Sequence, residues 1–390
     1  MRYDFDCLVD RRDISVKYGT PGLLFPDCKL PENPIPMWIA DMDFACCDRI
    51  LQAIHKRVDR LTLGYENPVT PAYLEAVCGW MHRRHQWKIT PEQIVTCGGA
   101  IAALKLAVMT FTKPGQKVLI QQPVYDPFGQ TVTNCGRQVV NNPLIYKDGT
   151  YQMDLEDLEK KAADPDTVLL AFCNPHNPVG RVWTREELEE VCSICRRHGV
   201  LIVSDEVHSD IIRREKTFIP MGSVDPENVI ASTSPGKTFN LTGMKLANII
   251  IANQDLREKF LAARGGKDFP NPLAAAGAQA AYEGCDQWAD QVNEYLDESF
   301  RILARRLPQV LPEAYLVPPE SMFLAWIDLR RYGMTDQEIS KRLVEEAGVV
   351  PDPGTHFGPD GKSFIRLNIA CPHSVLNEAL DRIERAFAQP

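Results

Sequence analysis

Three side chains with complementary chemistry each follow an apolar run of the sequence. Lys237, Asp205 and Asn177 supply an amine, a carboxylate and an amide, and each comes shortly after residues that are typical of a buried strand. Because strand ends of an open α/β sheet converge on one crevice, we expect these side chains to lie together. The combination suits pyridoxal phosphate, which needs a lysine that forms an imine and an acid that faces its ring nitrogen.

Each of these side chains would have a distinct task. Asp205 opposite the ring nitrogen would favour the protonated pyridinium, which withdraws electrons from a carbanion at the substrate Cα. Asn177 would donate to the phenolic oxygen, and Lys237 would hold the cofactor as an imine and then act as the base at Cα. His208 could orient Asp205 or reach the phenolic oxygen, although a single histidine there is more often structural. Tyr125 could stack on the pyridine ring, and its alternative is an ordinary core tyrosine.

A glycine turn offers a place for a phosphate group. Gly99 and Ala100 directly precede a helical pattern at 101–111. Glycine lets the backbone approach an anion, and the exposed N–H groups of a helix start favour it. On its own such a turn is usually only a turn. Ser232 and Ser234 could add hydroxyl donors, or could cap the local backbone instead.

A nucleotide-hydrolysing site is the rival interpretation of the lysine. Gly236-Lys237-Thr238 resembles the end of a Walker A loop, and 201–206 resembles a Walker B strand. Ala231 stands where that loop requires glycine. The residues at 239–243 have poor helix character, and the Walker B-like strand comes first in the chain, which reverses the usual order. These departures disfavour the nucleotide interpretation.

The elements that must position these residues alternate between strand and helix. Thr90 and Thr184 each begin a capping-box pattern, and the second helix is expected to end at about His198, before Gly199. Short, nearly all-apolar runs are typical of strands covered on both faces, and they occur at 118–121, 168–172, 201–204, 229–232 and 248–252. This alternation predicts an α/β fold with a doubly wound, mainly parallel sheet.

The pattern changes after about residue 285. A long helical stretch at 287–307 precedes Pro308, and strand candidates follow at 323–328 and 364–369, with a helix from Thr335 and another at the C-terminus. We therefore predict a large cofactor-binding α/β domain at 49–285. The segments 1–48 and 286–390 are predicted to form a smaller α+β domain.

Composition narrows the possible functions. The chain has 390 residues and a formal net charge of -9, which disfavours a general nucleic-acid binder. No apolar run approaches the ~20 residues of a membrane helix, and no secretory signal is visible at the N-terminus, so a cytoplasmic protein is expected. The 12 cysteines are scattered and are expected to be reduced thiols. Cys192 and Cys195 form a CxxC pattern inside a predicted helix with no second pair, so no metal site is predicted.

Taken in order, the motifs resemble those of fold type I pyridoxal-phosphate enzymes of the class I/II aminotransferase family. More narrowly, they are similar to the MalY/PatB-type cystathionine β-lyases, also called C–S lyases. The resemblance runs nearly end to end. It rests on these motifs: Trp-Ile-Ala-Asp-Met-Asp-Phe at 38–44, Gly-Tyr at 64–65, Asn-Pro-His-Asn-Pro-Val-Gly at 174–180, Ser-Asp-Glu-Val-His-Ser-Asp at 204–210, Lys-Thr-Phe-Asn-Leu at 237–241 and Arg-Leu-Asn at 366–368.

The resemblance implies a role for each motif residue. Lys237 would be the catalytic lysine, and Tyr65 would reach into the site of a neighbouring subunit in an obligate homodimer. The implied cofactor-binding residues are Gly99, Ala100, Tyr125, Asn177, Asp205, His208, Ser234, Lys237 and Lys245. The implied substrate-binding residues are Ala40, Tyr125, Asn177 and Arg366, with Arg366 gripping the substrate carboxylate.

Two positions depart from the family pattern. Lys245 stands where many aminotransferases have an arginine that grips the phosphate, and a lysine supplies the charge without the planar fork. Gly236 stands where relatives often have serine, which removes no charged group.

The resemblance implies β-elimination from an amino acid with sulfur at Cβ, which yields a thiol, pyruvate and ammonia. Two alternatives remain at this point. One is a class I/II aminotransferase, which the motifs Ala-Asp-Met-Asp-Phe and Lys-Thr-Phe-Asn-Leu disfavour. The other is a regulatory binding protein with vestigial lyase activity, for which no partner surface is visible in the sequence. The natural substrate is not fixed by these motifs.

Overall fold

A central sheet with helices on both sides organises the chain in this computed structural model, which describes residues 2–265 and 269–388. The strands, in chain order, are β1 Ile35–Pro36, β2 Ile94–Cys97, β3 Lys117–Ile120, β4 Gln138–Asn141, β5 Ile145–Lys147, β6 Thr150–Gln152, β7 Thr167–Cys173, β8 Leu201–Asp205, β9 Val229–Thr233, β10 Ala247–Ile250, β11 Tyr315–Leu316, β12 Leu324–Asp328, β13 Val349–Val350, β14 Asp352–Pro353 and β15 Phe364–Asn368.

The helices connect these strands and cover both faces of the sheet. In chain order they are α1 Val16–Gly19, α2 Asp48–Val58, α3 Pro71–His85, α4 Ala100–Phe111, α5 Pro127–Asn134, α6 Leu155–Ala162, α7 Arg185–His198, α8 Met221–Val224, α9 Pro235–Thr238, α10 Gln254–Arg264, α11 Pro272–Gly284, α12 Asp286–Val310, α13 Asp336–Ser340 and α14 His373–Phe387. Short 3₁₀ turns lie at Pro91–Gln93, Thr242–Met244, Arg330–Tyr332, Gly354–Phe357 and Pro359–Gly361, and a π-helical turn at Lys341–Glu346 continues α13.

The large sheet has the order β2-β10-β9-β8-β7-β3-β4. Its strands run parallel except β10, which is antiparallel to both β2 and β9. Successive residues of β7 enter different cores, with Leu170 and Phe172 packing on one side of the sheet and Leu169 and Ala171 on the other. Both faces are therefore buried, which is why the strands are apolar throughout, and the predicted mainly parallel α/β sheet is confirmed.

A second sheet of order β11-β12-β15-β14 belongs to the C-terminal part of the chain. Its apolar face packs with α12 and α14 in a separate core that also takes in Phe25, Met37 and Trp38 from the N-terminal segment. In addition, β1 pairs in parallel with β13, which ties the N-terminal segment to the same region. The predicted division into domains at 1–48, 49–285 and 286–390 stays a prediction.

Several predicted elements correspond closely to the observed ones. Helix α7 begins after the Thr184 capping box and ends at His198, with Gly199 in the left-handed conformation. Cys192 and Cys195 are buried in that helix, as expected. Among residues 2–265 and 269–388, no helix is both long and apolar enough to cross a membrane.

The capping box predicted at Thr90 is confirmed, and one predicted helix end was wrong. The capping box at Thr90 is present, but only one 3₁₀ turn follows it before β2 begins, because the next residues are buried on the sheet. Helix α12 does not stop before Pro308 but continues to Val310. A proline in the last turn removes a single backbone hydrogen bond, and burial of Leu307 and Val310 favours the helix there.

Candidate active site

The carboxyl ends of three adjacent strands bring the predicted chemical groups together. Asp205 is the last residue of β8, and its Cα pairs with Cys173 of β7 on one side and Ser232 of β9 on the other. Asn177 lies just beyond β7, and Lys237 lies in α9 just beyond β9. The convergence expected of parallel strand ends is therefore present in the fold.

Lys237 is the amine of this crevice. Its Nζ donates to the Ala40 carbonyl at 2.6 Å, so the N-terminal segment forms one wall of the site. Burial lowers the pKa of Lys237 to about 8, because an enclosed ammonium loses hydration. The charges of Asp41 and Asp205 act against this shift, and the charge of Arg366 adds to it. An amine with this pKa is partly neutral near physiological pH and can accept a proton.

Asp205 is a carboxylate whose charge is poorly compensated. Burial raises its pKa to about 6, and the backbone N–H of Val207, which donates to Oδ1 at 3.2 Å, and the charge of Lys237 offset only part of the shift. A buried carboxylate in this state attracts a cationic partner such as a protonated ring nitrogen.

Arg366 faces the same crevice from β15. Its guanidinium donates to Asn177 Oδ1 at 3.0 Å and to the Trp38 carbonyl at 2.9 Å, and it pairs with the Asp352 carboxylate. The guanidinium carbon also lies 4.6 Å from the centre of the Phe357 ring. Because Asn177 uses its oxygen for Arg366, its amide N–H₂ remains available to donate to a ligand.

Tyr125 and His208 complete the enclosed part of the site. The Tyr125 backbone N–H donates to the Asn177 carbonyl at 3.1 Å, and the residue is 36% exposed. His208 is buried, and burial together with the positive charges of Lys237 and Arg366 holds its pKa well below the usual value. A neutral imidazole can donate or accept a hydrogen bond without adding charge.

The proposed phosphate-binding residues have mixed geometry. Gly99 has φ of 121° and is the N-cap of α4, with open space where a side chain would stand, and Ala100 is the first residue of that helix. The Ser234 hydroxyl accepts from the Gly236 N–H at 3.0 Å and donates to the Leu246 carbonyl at 2.7 Å, so it serves as a local cap. Lys245 is exposed at the end of a 3₁₀ turn.

One predicted site residue lies outside the crevice of the single chain. Tyr65 is fully exposed in the loop between α2 and α3, and Leu61 and Leu63 beside it are exposed as well. Nothing in the single chain explains an apolar loop of this kind, and its predicted role in a neighbouring subunit stays a prediction.

The orphaned polar atoms near the crevice fit the predicted cofactor. Within residues 2–265 and 269–388, Ser232 Oγ, His208 Nδ1 and Arg366 Nε are buried without a hydrogen-bond partner. Such atoms are rare because each costs about 1 to 3 kcal/mol unless a ligand satisfies it. Together with Asp205 they offer donors for oxygens and a partner for a cationic nitrogen, the polar groups that pyridoxal phosphate and an amino-acid substrate carry.

Sequence reasoning missed the side chains that hold the site segments in place. Asp352 pairs with Arg366, and Asn368 Nδ2 donates to the carbonyls of Ile39 and Asp41. Asp41 and Asn368 belong to the motifs at 38–44 and 366–368, so the sequence carried a signal for them. Asp352 belongs to none of these motifs. Only the pairing of β14 with β15 brings it next to Arg366.

Comparison with known proteins identifies the family. The sequence matches aminotransferase class I and II over residues 33–383. Cystathionine beta-lyase PatB of Bacillus subtilis (strain 168) is 38% identical over 379 residues, which are 96% of this chain and 97% of that protein. Protein MalY of Escherichia coli (strain K12) is 31% identical over 389 residues, with 97% of each chain covered.

A solved structure of a related protein has the same fold as this chain. The crystal structure of cystalysin from Treponema denticola, which contains a pyridoxal 5'-phosphate cofactor, matches with a TM-score of 0.95 and 34% identity over 100% of this chain and 99% of that one. The expected fold type I architecture is thereby confirmed. This chain belongs to the aminotransferase class I and II family.

Proposed function

We propose that this chain is a pyridoxal-phosphate-dependent carbon–sulfur β-lyase that cleaves cystathionine or related cysteine S-conjugates to a thiol, pyruvate and ammonia. The observation that carries the proposal is the convergence of Lys237, Asp205 and Asn177 at the carboxyl ends of adjacent strands, with Arg366 bound to Asn177 in the same crevice. Its support from known proteins is the similarity over nearly the whole chain to a cystathionine beta-lyase.

Pyridoxal phosphate, when bound, supplies an electron sink for negative charge that develops at the substrate Cα. Asp205 would favour the protonated ring nitrogen of that group, since a carboxylate removed from water is stabilised by a cation beside it. Lys237 takes the proton from Cα, and its pKa of about 8 leaves part of the amine neutral for this step. The same ammonium can then return a proton within the site.

Arg366 and Asn177 position the substrate. The fork of Arg366 is fixed by Asp352 and by the Trp38 carbonyl, so its orientation does not depend on the ligand. Among the residues that the structure describes, the guanidinium keeps its Nε–H and one further N–H without a partner, and these remain to donate to a substrate carboxylate. The Ala40 carbonyl, which accepts from Lys237, would lie next to the substrate.

The remaining predicted residues hold the cofactor. The N–H groups at Gly99 and Ala100 lie at the start of α4 and suit a phosphate. Tyr125 would cover the ring and Lys245 would add charge at the phosphate end. Ser234, whose proton goes to the Leu246 carbonyl, would hold the turn beside them. His208, whose Nδ1 has no partner within the described ranges, would offer a neutral hydrogen-bonding group to the cofactor.

A homodimer with shared sites completes the proposal. The exposed Tyr65 would enter the crevice of the partner, which accounts for an apolar loop that a single chain leaves in solvent. We also place the enzyme in the cytoplasm, with a small amino acid as its substrate and the domain boundaries at residues 48 and 285.

Product analysis tests the reaction type. Purified enzyme incubated with cystathionine should release pyruvate and a thiol without any added keto acid. Amino transfer that requires a keto acid, with no pyruvate formed, would instead make this chain an aminotransferase.

A substitution tests the lysine assignment separately. Lys237→Ala should lose the visible absorbance of the bound cofactor, because no amine remains to hold it covalently. Lys88→Ala removes an exposed lysine to which no site role is assigned and should retain the absorbance. An unchanged spectrum in Lys237→Ala would contradict the assignment.

A further inference from the structure

Segment 38–44, which follows β1, is held against the site by side chains from distant parts of the chain. Its carbonyls accept from Arg366 at Trp38, from Lys237 at Ala40, and from Asn240 at Met42 and Phe44. The segment therefore has a fixed position next to the amine. A charge on the residue next to Ala40 is therefore held close to the amine.

Asp41 is such a charge, and Arg11 is its partner. One guanidinium nitrogen of Arg11 pairs with the Asp41 carboxylate, and the other donates to the Met42 carbonyl at 2.6 Å and to Asp43 Oδ1 at 3.1 Å. The side chains of Arg11 and Asp41 are 16% and 22% exposed, so solvent screens this pair only in part. Asp43 keeps a second partner, since Lys17 Nζ donates to its Oδ2 at 2.7 Å.

The charge of Asp41 reaches Lys237. Burial has the largest effect on the pKa of Lys237. The charge of Asp41 has the second largest effect, and this charge raises the pKa. Other charged or titratable groups also face the two residues. Around Lys237 they are Asp205, His208 and Arg366. Around Asp41 they are Arg11, Lys17, Asp43 and Cys46. Of these, Arg11 forms the ion pair with the Asp41 side chain.

We propose that Arg11 and Asp41 are a pair of positioning residues that set the charge state of the reacting lysine. Asp41 stabilises protonated Lys237, and Arg11 limits this effect by neutralising part of the Asp41 charge. Neither side chain needs to touch the substrate. The inference deepens the proposed function and rests on Lys237 as the acting amine.

The proposal predicts that the two single variants shift the pH at which Lys237 loses its proton in opposite directions. Asp41→Asn removes the stabilising charge, so Lys237 should lose its proton at lower pH, whereas Arg11→Gln frees the Asp41 charge and should move the loss to higher pH. Because each partner already offsets the other, we expect shifts of about half a pH unit to one unit. The double variant should lie between the two single variants.

The measurement is the pH midpoint for modification of Lys237 in the full-length, cofactor-free chain. Reductive methylation with formaldehyde and cyanoborohydride acts on the neutral amine, and mass spectrometry of the peptide that contains Lys237 reports its extent. The pH dependence of the visible absorbance of the cofactor-loaded enzyme gives a second readout at the same nitrogen. Asp13→Asn, which removes an exposed charge from the same N-terminal region, is the matched control.

Conservative variants separate charge from folding. Asp41→Glu and Arg11→Lys keep each charge and should stay close to the wild-type midpoint, whereas a merely structural role would make them behave like the neutral variants. Opposite shifts with the Asp13→Asn midpoint unchanged support the proposal. Shifts in the same direction, or none beyond the control, overturn it. Because the modification needs no turnover, absence of pyruvate together with opposite shifts would reject only the lyase assignment.

Discussion

Asp205→Asn should affect stability and function in opposite directions. The carboxylate lies at the end of β8 with one backbone N–H as its hydrogen-bond donor in the described part of the chain. Asparagine has the same shape and keeps an oxygen for the Val207 N–H, but it carries no charge. The cofactor-free variant should therefore be more stable than the wild type at neutral and higher pH.

The size of this gain follows from the pKa of Asp205. Folding raises it from 3.8 to about 6, and each unit corresponds to about 1.4 kcal/mol, which gives an upper limit of about 3 kcal/mol. The carboxylate keeps some access to solvent from the crevice, so we expect about 1 to 2 kcal/mol.

The direction of the Asp205 pKa shift also determines how the stability gain of the variant depends on pH. Because the folded-state pKa is raised, the wild type loses stability as pH rises from 3.8 to about 6 and then levels off. The advantage of the variant should be small near the lower value and full above the higher one.

Urea denaturation of the cofactor-free proteins at about pH 4.5 and about pH 8 measures the gain. Asp27→Asn, an exposed carboxylate elsewhere, should show no comparable change. In the presence of pyridoxal phosphate the order should reverse, because the variant can no longer stabilise a protonated ring nitrogen. A variant that is less stable at pH 8 without cofactor, or whose gain is independent of pH, would refute the argument that Asp205 is an under-compensated charge.

Three further outcomes are expected. Arg366→Lys should raise KM for the amino-acid substrate about tenfold to a hundredfold in steady-state assays while the cofactor spectrum is retained, because an ammonium cannot replace the fork; an unchanged KM would contradict the carboxylate-binding role. Glu206→Gln should become increasingly more stable than the wild type in urea as pH rises from 4.5 to about 8, since burial raises the pKa of Glu206 to about 8; a constant difference would exclude this cause. Tyr65→Ala and Lys237→Ala, each inactive alone, should recover about a quarter of wild-type activity after subunit mixing, because half the dimers then carry one intact site; no recovery would argue against a shared site.

Sequence patterns gave the sheet and its strand ends for identifiable reasons. A strand buried on both faces must be apolar at nearly every position, so β7, β8 and β9 are visible in the sequence. Strand β4 is only partly buried and is polar at both ends, which is why its pattern was not found. The 3₁₀ turn at Pro91–Gln93 carries the local signals of a helix start, and only tertiary burial of the residues after it explains why the chain turns to a strand.

Site residues could be predicted from the sequence where a reactive side chain lies at the end of a strand. They could not be predicted where a side chain acts through its contact with another side chain. Lys237, Asp205 and Asn177 satisfy the first condition. Arg366 and Tyr65 were named through family resemblance alone, since a charge in a strand or an aromatic in a loop has many uses. The Arg11–Asp41 pair joins residues separated along an irregular segment, and no periodicity predicts which acid such an arginine meets.

The source of these groups along the chain explains why the site depends on the whole fold. The middle of the chain supplies the amine, the carboxylate and the amide, while segment 38–44 and β15 supply the groups that fix and tune them. The middle region alone would contain Lys237 without the Ala40 carbonyl, the Asp41 charge or the Arg366 charge. Burial of the amine and the charges around it are therefore acquired together, when both ends of the chain pack on the sheet. Reactivity of the lysine is for this reason a property of the complete tertiary structure rather than of the strand ends that carry the motif.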